Sequence, residues 1–88
     1  MKIIKSARAG TLESNDCLIE ISPADKLEIL VKSPVYDQFK EQIDMVIDEA
    51  LKENEITKAN IHMEDRGALD CTIRARLRTA IRRANEED

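Results

Sequence analysis

The period of the apolar residues first changes at Ser33-Pro34. Before this point apolar and polar residues alternate in short runs, which is typical of half-buried strands. Serine is favoured at a helix N-cap and proline at the first helical position. We therefore predict that a helix begins here. Its apolar stripe, at helical spacing, is Val35, Phe39, Ile43, Val46, Ile47, Ala50 and Leu51.

Three strands are predicted before this change, in residues 7–12, 17–21 and 27–32. Asn15-Asp16 separates the first two, and both residue types tolerate the left-handed conformation of a tight hairpin turn. A second turn at 22–25 contains Pro23. The sequence therefore predicts a hairpin with a serine, Ser14, at its tip.

A fourth strand is predicted at 59–64, where Ile61 and Met63 share a face, and a second helix follows it. The resulting order is strand, strand, strand, helix, strand, helix. Both helices can pack on one face of a mainly antiparallel sheet of about four short strands, which is a two-layer α+β sandwich. We expect a single domain over residues 1–88, and the strand order stays open. The apolar stripe of the second helix is Leu69, Ile73, Leu77, Ala80 and Ile81.

The charge and the scarcity of aromatic residues exclude several classes of protein. The formal net charge is −4, and Tyr36 and Phe39 are the only aromatic residues. Nucleic-acid modules usually need positive charge and stacking aromatics, so we disfavour that class. No segment approaches the roughly 20 apolar residues of a membrane span. The N-terminus lacks a signal-peptide pattern, so Cys17 and Cys71 are expected to be free thiols in the cytoplasm.

Metal binding and hydrolytic catalysis are both disfavoured. The soft metal ligands Cys17, His62 and Cys71 are not paired at the close spacing of zinc sites. We interpret them as two buried thiols and a strand histidine. A hydrolase built on Ser14 and His62 would need a nucleophile elbow and a glycine-rich oxyanion loop, which the sequence does not contain.

The second helix is rich in arginine, with Arg74, Arg78 and Arg82 recurring every four residues. One interpretation is a solvated face, supported by an ion pair from Asp70 to Arg74 at i, i+4. The other is a docking surface for an acidic partner or a phosphate-rich group, because guanidinium groups suit both. The sequence leaves these alternatives open.

Ser14 also has two interpretations. It can be an ordinary polar turn residue, or it can be the exposed hydroxyl to which an enzyme attaches a group. On the second interpretation Asp16, two residues later, could help to hold a metal–nucleotide during attachment. The short strands and polar tip also predict that this hairpin is mobile.

Two sequence blocks carry a family resemblance. AGTLESND at 9–16 and DRGALDCTIRARLRTAIRRA at 65–84 resemble the acyl carrier (gamma) subunits of citrate lyase, and the likeness runs over nearly the whole chain. In that family a serine in the first block carries phosphoribosyl-dephospho-CoA through a phosphodiester. By position this implies Ser14.

The resemblance also implies a carrier without catalytic activity of its own. Its thiol-bearing arm would hold acetyl and citryl thioesters for an alpha subunit (acyl transferase) and a beta subunit (citryl lyase). A separate transferase would attach the arm, and Arg74 and Arg78 could contact the arm or an acidic partner. The alternatives are the carrier of malonate decarboxylase, or a binding module that docks through the arginine-rich helix with Ser14 unmodified.

Overall fold

The computed structural model describes residues 2–86 and contains the predicted elements in the predicted order. The α+β class and the order β-β-β-α-β-α are therefore confirmed. The elements are β1 (Ala7–Gly10), β2 (Cys17–Ser22), β3 (Leu27–Lys32), α1 (Tyr36–Glu53), β4 (Ala59–Asp65) and α2 (Asp70–Asn85).

The four strands form one sheet in the order β1-β2-β4-β3. β2 is antiparallel to both β1 and β4, whereas β3 and β4 are parallel. A parallel pair needs a long crossover connection, and α1 supplies it between β3 and β4. The sheet is thus mixed, with β2 and β4 at its centre and β1 and β3 at its edges.

The core lies between one face of this sheet and the two helices. Alternate residues of β2 and β4 point inward, and α2 lies over β1 and β2 with α1 beside it. Full burial of a side chain of isoleucine size contributes about 1.5–3 kcal/mol. The core is aliphatic, as the composition predicts, and its largest fully buried side chains include Ile19, Ile21, Ile47, Ile61, Met63, Ile73, Leu77 and Ile81.

Two residues of the predicted helical stripes are exposed. Phe39 is 48% exposed and Leu69 is 69% exposed. The backbone at Phe39 departs from helical geometry, with φ −119° and ψ 21°, so helical spacing does not continue through this residue. Leu69 precedes the first residue of α2 and has an extended backbone. The prediction of these two core positions was wrong because the helical period does not hold there.

The start of α1 also differs from the prediction. Val35, not Ser33, is the residue that precedes the helix, and it makes no side-chain cap. The Ser33 hydroxyl accepts a hydrogen bond from the Val35 N–H (3.2 Å) and donates one to Asp65 Oδ2 (2.8 Å). Ser33 therefore joins the entry of α1 to the end of β4.

The first hairpin depends on Gly10, the last residue of β1. Its φ is +101°, a conformation that side-chain-bearing residues rarely adopt. A Cβ at this position would overlap the carbonyl oxygen of Cys17 on β2. β1 therefore ends at Gly10, earlier than predicted, and a loop at 11–16 leads into β2.

No helix within residues 2–86 combines the length and the apolar character needed to cross a membrane.

Candidate functional site

Ser14 lies in the loop between β1 and β2. The Asp16 N–H donates to the Glu13 carbonyl oxygen (3.2 Å), which closes a turn with Ser14 and Asn15 at its centre. Asn15 adopts the predicted left-handed conformation, with φ 66°. Ser14 is exposed, and within residues 2–86 its hydroxyl has no hydrogen-bond partner. The serine predicted at the hairpin tip is therefore presented to solvent.

The turn is attached to the segment that follows β4. The Asn15 N–H donates to the Arg66 carbonyl oxygen (2.8 Å), and the Arg66 N–H donates to the Asp16 carbonyl oxygen (2.9 Å). These two bonds extend the β2–β4 ladder beyond the Cys17–Asp65 pair. The backbone on both sides of Asn15 is thereby fixed to a central strand of the sheet.

The carboxylate of Asp16 ties the same turn to α2. Arg76 donates from Nε to Asp16 Oδ1 (3.0 Å) and from Nη2 to Oδ2 (2.8 Å), which is a bidentate ion pair. Oδ2 also accepts from the Thr11 hydroxyl (2.7 Å), and Oδ1 accepts from the Cys17 N–H (2.7 Å). Bidentate arginine–carboxylate pairs fix direction as well as distance. The Asp16 side chain, only 14% exposed, therefore holds both ends of the loop.

These contacts control the ionisation of Asp16. The hydrogen bonds from Arg76, then Thr11 and the Cys17 N–H, lower the pKa of Asp16 far below its ordinary value of 3.8. The same pair raises the pKa of Arg76. All of these donors stabilise the charged carboxylate, so Asp16 stays ionised in the folded protein even in mildly acidic solution.

The arrangement favours a positioning role for Asp16 over the metal–nucleotide role predicted from the sequence. Both of its oxygens already accept two hydrogen bonds each, from Thr11, Cys17 and Arg76. Residues 2–86 hold no group of three or more His, Cys, Asp or Glu side chains that could bind a metal. A metal at Asp16 would have to displace one of these donors.

Arg74 and Arg78 occupy different environments. Arg74 forms ion pairs with Glu49 (3.1 Å) and Glu53 (3.5 Å) of α1. The predicted pair from Asp70 to Arg74 is absent, because Asp70 accepts from the Gln42 amide instead. Arg78 is exposed and has no ion-pair or hydrogen-bond partner within residues 2–86. Of the two candidates, Arg78 is the one whose guanidinium is available.

Sequence reasoning missed the two residues that organise the site, Arg76 and Asp65. Arg76 borders the buried stripe of α2, one turn from Ile73 and from Ala80, and a charge there usually needs a partner. Asp65 continues the inward-facing alternation of β4 and is 2% exposed. Its Oδ1 accepts from the N–H groups of Gly67 (3.2 Å) and Ala68 (2.8 Å), so it shapes the loop that holds Asn15.

The cysteines and the histidine lie apart from one another. Cys17 is buried, and burial raises its thiol pKa to about 12, with the Asp16 and Asp65 carboxylates adding to the shift. The thiol therefore stays protonated and unreactive at neutral pH. Cys71 is exposed, so the prediction of two buried thiols was wrong for this residue. His62 is exposed in the middle of β4, paired with Glu20, and is not part of the Ser14 turn.

The ion pair between Asp16 and Arg76 makes a prediction about stability and pH. Folding lowers the pKa of Asp16. The stability that the ion pair contributes is therefore complete at pH values well above the pKa of Asp16 in the unfolded chain. That contribution is lost as the pH falls below about 4, because the unfolded chain then binds a proton that the folded chain does not. We expect wild type to be more stable than Asp16→Asn at neutral pH, and the difference to shrink below that pH. Urea denaturation across the pH range measures it.

Arg76→Gln serves as the matched variant, because it removes the other half of the same pair. It should lose the largest part of the pH dependence but not all of it, because the Thr11 hydroxyl and the Cys17 N–H still donate to the Asp16 carboxylate. A difference between wild type and Asp16→Asn that stays constant down to acidic pH would contradict the assignment.

Known proteins resemble this chain over nearly its whole length. The family model described as "ACP: Malonate decarboxylase delta subunit (MdcD)" matches residues 4–84. The citrate lyase acyl carrier protein of Treponema denticola is 52% identical over 87 residues, covering 99% of this chain and 100% of the relative. Those of Enterobacter sp. strain 638 (50%) and Haemophilus influenzae strain PittEE (48%) each cover 99% of this chain, and 91% and 92% of the relative.

These relatives match over nearly their full length, so the likeness includes both blocks on which the resemblance was based. The resemblance stated from the sequence is confirmed. This chain belongs to the family of the citrate lyase acyl carrier proteins.

Proposed function

We propose that the chain is the acyl carrier subunit of a citrate lyase and that Ser14 Oγ carries phosphoribosyl-dephospho-CoA through a phosphodiester. The main support for Ser14 as the attachment site is that its hydroxyl is exposed and makes no hydrogen bond within residues 2–86. It lies at the tip of a turn whose backbone is held on both sides. Ser33, by contrast, uses its hydroxyl to bridge Asp65 and Val35. The surroundings of Ser14 fit a large group because no side chain within residues 2–86 encloses this exposed residue.

The residues of this chain hold the attachment oxygen still while leaving space around it. Arg76 and Asp16 fix the loop from α2, and the Arg66 backbone fixes it from β4. When bound, the group supplies a terminal thiol that holds acetyl or citryl units as thioesters. A tethered arm replaces diffusion between active sites by a local search at high effective concentration. The scaffold therefore needs a fixed anchor and an unobstructed turn.

This proposal assigns the chemistry to other chains. We propose an alpha subunit that transfers acyl groups, a beta subunit that cleaves the citryl unit, and a transferase that attaches the arm to Ser14. The carrier contributes the anchor and the surfaces on which these proteins dock. We place it in the cytoplasm, where the exposed thiol of Cys71 would stay reduced.

The carrier of malonate decarboxylase is the second candidate, because the matching family model has that description. The same Ser14 anchor would serve it, so the fold does not separate the two. The relatives named as citrate lyase carriers, at 46–52% identity, favour the first. Binding to the subunits of one complex and not the other discriminates between them.

The attachment can be tested by incubating the purified chain with the transferase and its activated prosthetic-group precursor. Intact mass should rise by one prosthetic group, and peptide mapping should place it on Ser14. Ser14→Ala should abolish the gain. The control is Ser6→Ala, which removes an exposed serine outside the loop and should be modified like wild type. A mass gain that persists in Ser14→Ala would overturn the site.

We further propose that Arg78 contacts an acidic surface of a partner subunit. Its guanidinium is exposed and unpaired within residues 2–86, whereas the Arg74 guanidinium is engaged by Glu49 and Glu53 of the same chain. A contact by Arg74 would require it to leave these two carboxylates. Of the two candidate arginines, Arg78 is therefore available to a partner, whereas Arg74 is already paired within the chain.

Charge reversal tests this contact in the protein without its arm. Arg78→Glu should weaken binding to the isolated alpha or beta subunit roughly tenfold at low salt, because attraction is replaced by repulsion. The effect should diminish as salt is added. Lys58→Glu is the control, since it makes the same change of charge at an exposed position outside α2. Unchanged affinity of Arg78→Glu for both subunits would refute the contact, as would an effect seen only when the arm is attached.

A further inference from the structure

β3 is an edge strand. It pairs with β4 on one side, and no other strand within residues 2–86 pairs with its other side. All of its side chains are exposed except that of Val31, which is half-buried. Leu27 and Ile29 are 40% and 42% exposed on the helix side, and Leu30 is 48% exposed on the opposite side. An apolar edge open on both faces is a template for pairing with another strand.

The backbone of β3 is oriented for such pairing. The Ala59 N–H donates to the Lys26 carbonyl oxygen, so residue 26 directs its backbone groups toward β4. Because successive residues of a strand direct these groups to opposite edges, Leu27, Ile29 and Val31 direct theirs outward. These outward groups have no partner in any other described strand or loop.

The charges along β3 are self-complementary in one antiparallel register. Placing Leu30 opposite Leu30 of a second copy puts Glu28 opposite Lys32, twice by symmetry. The registers in β3 and β4 place Glu28, Leu30 and Lys32 beside Asn60, His62 and Glu64, on the face away from the helices. In this register Ile29 of one copy and Val31 of the other form the backbone N–H to C=O hydrogen bonds between the strands. Glu28, Leu30 and Lys32 lie in the non-hydrogen-bonded pairs, in which opposite side chains approach each other most closely.

Neighbouring registers that keep the same residues hydrogen-bonded are less favourable. Centring on Val31 places Leu30 opposite Lys32 and leaves no pair of opposite charges. Moving the centre to Glu28 places two glutamates opposite each other, and moving it to Ile29 places Lys26 opposite Lys32. Like charges directly opposite in a sheet are destabilising, whereas opposite charges contribute roughly 0.2–1 kcal/mol per pair. The Leu30-centred register avoids both repulsions and also pairs Ile29 with Val31.

We propose that two copies of this chain associate through β3, antiparallel and centred on Leu30, to form one continuous sheet. The Ser14 loop joins β1 and β2, and β4 separates β2 from β3. Both Ser14 turns therefore stay accessible in the dimer. A single strand pair is a small interface, so we expect a concentration-dependent dimer and not an obligate one.

Sedimentation equilibrium of the full chain, from micromolar to millimolar concentration, measures the association. Wild type should show a monomer–dimer equilibrium. Glu28→Lys alone and Lys32→Glu alone should each raise the dimer dissociation constant by about tenfold or more, since two attractive pairs become two repulsive ones. Mixing these two variants in equal amounts should restore dimers, because the pairs between them are again opposite in charge.

Lys26→Glu is the matched control. It changes the charge of the same segment and removes the exposed ion pair between Lys26 Nζ and Glu28 Oε1 (3.5 Å) of the same chain, but in this register Lys26 faces Pro34. The dissociation constant should therefore change far less than in Lys32→Glu. Circular dichroism of each variant checks that the fold is retained. Wild type that stays monomeric at all concentrations would overturn the proposal. So would a failure of the mixture to recover dimers, or a loss of dimers in Lys26→Glu as large as in Lys32→Glu.

Discussion

The bidentate pair between Asp16 and Arg76 is the interaction on which the presentation of Ser14 depends. Its partners are 60 residues apart and belong to the two ends of the fold, the first hairpin and the last helix. Because Asp16 also accepts from Thr11 and from the Cys17 N–H, a single carboxylate connects the loop to α2 and fixes its geometry. The Ser14 hydroxyl itself takes no part in this network. The Asp16 side chain is therefore held by several hydrogen bonds, while the Ser14 hydroxyl, two residues earlier, has none within residues 2–86.

The sheet topology explains why the loop can be held so firmly. β2 leaves the loop and runs beside β4, so the end of β4 arrives next to Asn15. Gly10 allows β1 to approach β2 closely, and the buried carboxylate of Asp65 shapes the segment from β4 to α2. Ser33 connects that carboxylate to the start of α1. Elements distant in sequence thus meet at the same end of the molecule as the Ser14 turn.

Local patterns predicted most of this fold. Strand alternation and helical spacing gave the element order, and Asn15 adopts the left-handed turn conformation that its residue type allows. The errors fall where a period ends. Phe39 lies at a break in the helix, and Leu69 lies before α2 begins. The parallel pairing of β3 with β4 was open because strand order depends on packing of the whole chain.

The site was predictable only in part, for a related reason. Ser14 and Asp16 are neighbours in a recognisable turn, but Arg76 meets Asp16 only after the helix has packed on the sheet. The four-residue repeat of arginines indicated Arg74 and Arg78 as candidates. Arg76 lies outside this repeat, at the border of the buried stripe, so the pattern did not indicate it. The expectation that the hairpin is mobile also took no account of the bonds from Arg66 and Arg76.

The most direct test of this account is amide hydrogen exchange in the Ser14 loop of the protein without its arm. If the network holds the turn, the amides of Asn15, Asp16 and Cys17 exchange slowly compared with exposed loop amides. Arg76→Gln should then release these amides, while Arg78→Gln leaves them protected. Exchange of the three amides at the rate of an unstructured loop in wild type would contradict the claim that the fold presents Ser14 on a fixed turn.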